Sequence, residues 1–466
     1  MDKPQDLYNL FYRNKLKLTP EQIIPLSFFI TIMVGALLLM LPFSSATGNS
    51  TSFLTALFTA TTSVCVTGLV VVDTYAHWSF FGQLIIMLLA QIGGLGMITI
   101  ASMLMVLAHK KFSMSDRLLL QDSFNLNTST KLLLFLSRVL KGTFIVEGVG
   151  ALLYSFVFIP EFGFVRGLWI SVFNSVSAFC NAGMDVIGPN SLTDYRNNPL
   201  VMAVTMFLII SGGIGFVVWF DIAHVIREGF RKSFSPLTII KRLSEHSKLV
   251  LSFTSVLIFG GMLVFLFTEY NNPETIGDLS FGGKLANCLF ESVTLRTAGF
   301  ATIPQEGLTT PSCLISYLWM FIGGSPIGTA GGIKTVTMFL LIMNVRSYVM
   351  NSDSKVIFKR QVAEESMRKA SAVALVEAGA ILILTFILCI VNPVPLEDAL
   401  FEITSACGTV GLSRGLTPSL GTLGRITVVI AMYLGRIGPI SLVAFLSRSN
   451  SENDKISYAR GIFYVG

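Results

Sequence analysis

The chain has 466 residues, 52% of them apolar and only 13% charged, with a mean hydropathy of +0.70. Soluble domains carry about 25% charge, so these proportions exclude a soluble globular protein and indicate one that crosses a membrane many times. The net charge of +6 would suggest nucleic acid as the partner of a soluble protein. Here the basic residues collect between apolar segments, so membrane topology accounts for them and no nucleic-acid partner is expected.

In chain order, a basic, polar lead precedes the first apolar run, which begins near Ile23. The lead is too long and the run too extended for a cleaved signal peptide, so a retained span is expected. A crossing helix needs about 20 apolar residues. Eight such segments can be drawn, at 22–42, 80–108, 134–159, 199–226, 247–269, 311–348, 370–392 and 421–447. Between the members of each pair lies a shorter run, at 51–63, 167–179, 281–294 and 396–406, long enough for a half-membrane helix and too short to cross. Irregular backbone is tolerated at membrane depth only where protein buries it or it lines a watery cavity. The predicted fold class is therefore an all-α membrane protein. It would have four pseudo-repeats of transmembrane helix, pore helix, filter loop and transmembrane helix around one central pore, with eight full spans. The corresponding divisions are a cytoplasmic segment 1–21, repeat 1 at 22–108, and repeat 2 with its preceding loop at 109–226. Repeat 3 with its preceding loop occupies 227–348, repeat 4 with its loop 349–447, and a cytoplasmic tail 448–466.

Lys3, Arg13, Lys15 and Lys17 precede the first span, and Lys110, Lys111, Arg117 and Lys131 lie between the first two repeats. Arg227, Arg231, Lys232, Lys241, Arg242 and Lys248 fill the next connection, and Arg346, Lys355, Lys359, Arg360, Arg368 and Lys369 the third. Leu41 to Phe80 holds no Lys or Arg. The positive-inside rule then predicts cytoplasmic termini and inter-repeat loops, with the short runs entering from outside. Six cysteines (65, 180, 288, 313, 389 and 407) and four histidines (77, 109, 224 and 246) show no metal-ligand spacing, so no resident metal or redox pair is expected. Small, buried packing explains the cysteines better.

Four glycines follow the short runs, Gly68, Gly183, Gly299 and Gly411, spaced 115, 116 and 112 residues apart. Repetition at this period is the strongest architectural signal in the chain. Ten residues before them stand Phe58, Phe173, Leu289 and Phe401, and five before stand Ser63, Ala178, Thr294 and Ala406. This spacing lets a helix anchor outward while its end approaches an axis. A dehydrated cation must be recoordinated by protein oxygens, and backbone carbonyls bind strongly enough to admit it yet weakly enough to release it. Aiming successive carbonyls at one axis needs backbone conformations that glycine adopts cheaply. Helix C-terminal ends directed at the cavity would add favourable potential. The candidate filter stretches are Val66–Leu69, Asn181–Met184, Thr297–Phe300 and Thr409–Leu412, with Val66, Thr67, Gly68, Asn181, Ala182, Gly183, Thr297, Ala298, Gly299, Thr409, Val410 and Gly411 as candidate ion-binding residues. Thr409-Val410-Gly411 matches the start of the potassium-channel filter string Thr-Val-Gly-Tyr-Gly; the other repeats lack it, which implies fewer ion sites and less stringent selection. Each inner helix also carries glycines suited to close packing: Gly93, Gly94 and Gly96; Gly212, Gly213 and Gly215; Gly323 and Gly324; Gly435 and Gly438.

Two further strings are specific: Gly323-Gly324-Ser325-Pro326-Ile327-Gly328-Thr329-Ala330-Gly331-Gly332-Ile333-Lys334-Thr335, and Gly435-Arg436-Ile437-Gly438-Pro439. With the four filter loops, they make residues 20–447 resemble the Trk/Ktr/HKT superfamily of cation transporters, most similar to the membrane subunit of bacterial Ktr potassium uptake systems. The resemblance implies potassium as the transported ion and no cofactor in this chain. It also implies a homodimer in the bacterial plasma membrane and a separate cytosolic nucleotide-binding ring. The ring would dock on the basic loops 227–248 and 346–369 and the tail 448–466. Within the superfamily, serine at the first filter position goes with sodium preference, so Gly68 implies potassium. Sodium coupling, and a sodium-preferring or unselective filter, stay open.

Residues 323–335 hold five glycines and a proline, and a helix there would cost about 1 kcal/mol per Gly and about 3 for Pro. An irregular intramembrane loop is expected. It is not a phosphate loop, because Ile333 separates Gly332 from Lys334. The resemblance makes Gly323, Gly324, Ser325, Pro326, Gly328, Thr329, Gly331, Gly332 and Lys334 a movable gate beneath the filter, and implies that Arg436 faces the pore opposite it. At about 6 Å and an effective ε of about 20, that charge would repel a cation by about 3 kcal/mol. The structural alternative pairs Arg436 with an internal carboxylate, Glu147 or Glu377. No convergent catalytic set is visible, so no enzyme is expected.

Overall fold

The structure, a computed structural model, describes residues 20–96, 132–233, 235–350, 356–357 and 360–438. It is helical: α1 (Pro20–Leu39), α2 (Phe53–Cys65), α3 (Phe80–Leu95), α4 (Leu132–Phe162), α5 (Phe164–Cys180) and α6 (Pro199–Gly213). There follow α7 (Phe216–Lys232), α8 (Pro236–Arg242), α9 (Glu245–Glu269), α10 (Phe281–Thr294), α11 (Thr310–Phe321), α12 (Thr335–Val349), α13 (Glu364–Val391), α14 (Leu396–Gly408) and α15 (Thr422–Ile437). The strand content among the described residues is a two-residue ladder, Val356 opposite Gln361 and Ile357 opposite Arg360. Side-chain caps start many helices, as expected for Ser and Asn. Ser52, Ser79, Ser244 and Ser280 accept from the N–H groups of Thr55, Gly82, Ser247 and Gly283, and Asn198 accepts from Leu200 and Val201.

Among the described residues, three helices are long and apolar enough to cross a membrane: α4, α9 and α13. Their outer faces expose Phe144, Phe156, Phe259, Phe267, Leu382 and Phe386, the surface a lipid environment requires.

The inner segments are shorter than expected because glycine breaks them. Gly96 (φ 84, ψ 136), Gly215 (φ 92, ψ 137) and Gly438 (φ 86, ψ 138) share one conformation that residues with a side chain avoid. The segment expected as a single span at 199–226 is therefore two helices, α6 and α7, bent by 101°. Segments 80–108 and 421–447 run beyond the described residues past 96 and 438. Segment 311–348 divides as anticipated, α11 ending at Phe321 and α12 beginning at Thr335.

The short helices α2, α5, α10 and α14 lie where half-membrane helices were expected. Phe58, Phe173, Phe290 and Phe401 anchor them, each at most 1% exposed. Leu289, aligned with the other three by sequence spacing, is only half-buried; the third repeat has one residue fewer between its anchor and its filter glycine. The inner helices approach these elements backbone to backbone. A side chain at Gly93, Gly212 or Gly435 would strike the carbonyl of Val64, Phe179 or Cys407, four residues before Gly68, Gly183 and Gly411 respectively. The six cysteines are free, and five are buried.

Overpacking at such a contact costs about 1–3 kcal/mol. Gly435→Ala is expected to lower the melting temperature of the detergent-solubilised protein by several degrees. Gly148→Ala, with open space around the added methyl, should leave it unchanged or slightly raised.

Candidate functional site

Each short helix leads into a single strand of chain, outside any sheet, whose backbone alternates in hand. Val66 (φ 55), Asn181 (φ 60), Thr297 (φ 67) and Thr409 (φ 52) are left-handed, and two residues on come Gly68 (φ 101), Gly183 (φ 64), Gly299 (φ 79) and Gly411 (φ 96). A left-handed residue with a side chain costs about 1–2 kcal/mol, and here the helix ends support it. Thr67, Ala182 and Val410 donate their N–H groups to the carbonyls of Thr62, Ser177 and Ser405 at 2.9, 2.8 and 2.8 Å, the longer bond of a Schellman cap. In the third repeat Ala298 N–H donates to Thr294 at 2.9 Å instead.

The four strands meet in cyclic order. A Cβ added to Gly68 would lie 2.7 Å from the carbonyl oxygen of Ala182, one on Gly183 2.7 Å from that of Ala298, and one on Gly299 2.5 Å from that of Val410. One on Gly411 would strike the carbonyl of Thr67. The carbonyls of Thr67, Ala182, Ala298 and Val410 thus each face a neighbouring repeat's glycine, with no room for a side chain.

Hydroxyl groups hold these strands from behind. Thr62 Oγ1 accepts from Gly68 N–H at 2.9 Å, and Ser405 Oγ from Gly411 N–H at 3.0 Å. Ser177 Oγ donates to Met184 O at 2.5 Å and accepts from its N–H at 3.1 Å, while Thr294 Oγ1 donates to Phe300 O at 2.6 Å. Sequence spacing selected the small residue five places before each glycine. Three of these hydroxyls lie six places before it, a pattern visible in the string but hidden by the one-residue offset of repeat 3. Two buried carboxylates brace the outer side: Glu402 accepts from Ser413 at 2.7 Å and from Thr417, and Glu291 accepts from Gln305 at 3.2 Å.

A cavity of about 310 Å³ opens over the ring, lined by Gly68, Gly183, Gly299 and Gly411 with Asp73, Asp185 and Gln305. On the other side lies the glycine-rich loop. Ser325 and Thr329 are fully buried. The loop closes on itself through Gly323 N–H to Ile333 O (2.9 Å), Thr335 N–H to Gly324 O (3.0 Å) and the Ser325–Thr335 hydroxyl pair (3.1 Å). It is fastened to the broken second inner segment by Ser325 N–H to Gly213 O (2.8 Å), Thr329 N–H to Gly212 O (3.1 Å) and Phe216 N–H to Ile327 O (2.9 Å). Gly215 abuts the Pro326 carbonyl, and Gly328 leaves no space for a methyl beside Gly212 O. Gly324 packs on Ala330, Gly332 (φ 60) on Gly323, and Gly331 on the Thr409 side chain, while Thr329 Oγ1 donates to Phe179 O at 3.0 Å. The loop therefore touches the roots of the second and fourth strands.

Arg436 donates to Thr329 O at 2.6 Å, to Gly93 O, and to Gly94 O at 3.4 Å. Its partners are backbone carbonyls, so the carboxylate pairing considered from sequence does not form. Glu147 lies by Cys180 Sγ, at 3.9 Å, and the cation acting on Glu377 is Lys334.

The sequence matches the TrkH family, described as cation transport proteins, over residues 19–457. It is 37% identical over 459 residues to the potassium/sodium uptake protein NtpJ of Enterococcus hirae, covering 97% of this chain and 99% of that one. It is also 37% identical to the Ktr system potassium uptake protein B of Bacillus subtilis, covering 97% and 98%. The crystal structure of the potassium transporter TrkH from Vibrio parahaemolyticus shares the fold, with a TM-score of 0.72 at 14% identity, covering 94% of this chain and 86% of that one. These matches, over a helical multi-pass fold, define a membrane transport protein and not an enzyme. The chain belongs to the TrkH family of cation transport proteins.

In the cavity wall, burial pushes the Asp185 carboxyl up to about 6, against the hydrogen bonds it accepts from Ile187 and Ser191. It is ionised above that pH and neutral below it. At limiting cation concentration, flux should fall as the solution on the cavity side is acidified from about pH 7.5 to about 5. Asp185→Asn should give a lower, flat profile in the same flux assay.

Proposed function

We propose that the chain conducts potassium into the cell through the ring formed by the four filter strands. The cyclic approach of the Thr67, Ala182, Ala298 and Val410 carbonyls carries this reading: uncharged oxygens gathered in a membrane replace a cation's water without trapping it. The names of the relatives, uptake proteins for potassium or for potassium and sodium, support the same ion class. Four pseudo-repeats and eight crossings surround the pore, two of them, at 199–226 and 311–348, interrupted within the described residues. Both termini face the cytoplasm and the cavity with Asp73 and Asp185 faces outward, as the basic residues of α7 and α8 favour. An inside-negative potential drives uptake, since one charge crossing 100 mV gains about 2.3 kcal/mol. The loop 323–335 and Arg436 form the gate. A separate cytosolic nucleotide-binding ring, docking on the basic connections, regulates it, and the membrane unit is a homodimer.

Conduction of sodium, or coupling to it, is a second reading, favoured by the potassium/sodium designation of the Enterococcus hirae relative. Uptake of radiolabelled rubidium and sodium into proteoliposomes of this chain under an inside-negative potential separates the two. Rubidium uptake blocked by excess potassium and not by sodium is the expected result; equal uptake of both ions would overturn potassium selectivity. Gly68→Ser should shift the preference toward sodium, because any side chain there pushes on the Ala182 carbonyl. Arg436→Ala should raise rubidium flux, by up to about a hundredfold if its field is unscreened. Unchanged or lower flux in well-expressed protein would remove the gate assignment.

A further inference from the structure

Three consecutive carbonyls of the glycine-rich loop are capped by cationic side chains from the chain itself. Arg436 donates to Thr329 O at 2.6 Å. The Lys334 ammonium donates to Ala330 O at 2.7 Å and to Gly331 O at 3.3 Å, so those two oxygens converge on one point. An ammonium group and a potassium ion are alike in charge and size, and both are coordinated by carbonyl oxygens. Glu377 on α13 is the acid beside this cluster. It is 5% exposed, its Oε1 accepts no hydrogen bond, and Lys334 is the cation that acts on it.

We propose that the Thr329, Ala330 and Gly331 carbonyls form a second cation site beneath the filter, with Lys334 seated in it as a tethered stand-in for the transported ion. Glu377 is the countercharge toward which the ammonium withdraws when an ion takes its place. This rests on the reading of loop 323–335 as the gate. Lys334 gives its hydrogen bonds to two convergent carbonyls and none to Glu377 Oε1. Pairing with carbonyl dipoles instead leaves a pocket that a mobile monovalent cation can contest, and leaves Glu377 free to hold the displaced ammonium.

Equilibrium dialysis of the purified full chain with radiolabelled rubidium tests the site directly, read beside rubidium uptake. Lys334→Met is expected to bind one more rubidium ion per chain than the unsubstituted protein. Adding Glu377→Gln should weaken that extra site about tenfold, about 1.4 kcal/mol. Lys334→Arg, which keeps a cation in place, should bind as the parent does. Lys334→Gln serves as the second variant should the methionine form fold poorly. Unchanged stoichiometry in both Lys334→Met and Lys334→Gln would overturn the site. Were uptake still raised in those variants, the gate would stand without the site. Unchanged uptake in Arg436→Ala would instead remove the gate reading itself.

Discussion

The central constraint on this molecule is the mutual contact of four glycines and four carbonyls. Each of Thr67, Ala182, Ala298 and Val410 points its oxygen at the glycine of the preceding repeat in the ring so closely that a methyl group would not fit. No strand can move inward or rotate without displacing its neighbour. The left-handed residues before each glycine, unfavourable alone, are kept because helix caps and the hydroxyls of Thr62, Ser177, Thr294 and Ser405 fix the strand at both ends. The same constraint explains Gly93, Gly212 and Gly435. Only with no side chain there can three inner helices press against the last turns of α2, α5 and α14.

Irregular backbone within a membrane must find its hydrogen bonds in protein, and here two irregularities supply each other. The break at Gly215 frees the last carbonyls of α6 and the first N–H of α7. The loop after α11 brings N–H groups of Ser325 and Thr329 to Gly213 and Gly212, and the carbonyl of Ile327 to Phe216. Either feature alone would leave buried polar groups unpaired at about 1–3 kcal/mol each. Together they form one substructure from two repeats. Movement of the loop must therefore be accompanied by rearrangement at the junction of α6 and α7.

Much of this was legible in the sequence because glycine and proline punctuate it strongly. The short helices, the glycines at 68, 183, 299 and 411 that meet their neighbours' carbonyls, and the irregular stretch after Phe321 all follow from hydropathy and glycine placement. The continuous span expected at 199–226 failed because the Ile214-Gly215 break is satisfied by a partner more than a hundred residues away, which no local window contains. The anchor of the third repeat was misplaced by one residue, from Phe290 to Leu289, because equal spacing was imposed on a repeat with a shorter connection. The partners of Arg436 were not legible at all. A carbonyl acceptor is present at every residue, so nothing in the string distinguishes Thr329 or Gly93.

That arginine also joins the loop to the end of a helix through backbone carbonyls alone. Two of its contacts, to Gly93 and Gly94, lie at the C-terminal end of α3, where the helix dipole favours a cation. Its contact with the loop is the single bond to Thr329 O. Withdrawal of the loop breaks that bond and leaves the guanidinium solvated by the helix end. Breaking a buried ion pair instead would strand an uncompensated charge at about 3–5 kcal/mol. A hydrogen bond to a charged donor contributes about 1.5–3 kcal/mol, a factor of about ten to a hundred in an equilibrium. A tether of that strength would hold the proposed gate in place most of the time and still yield to a modest conformational bias.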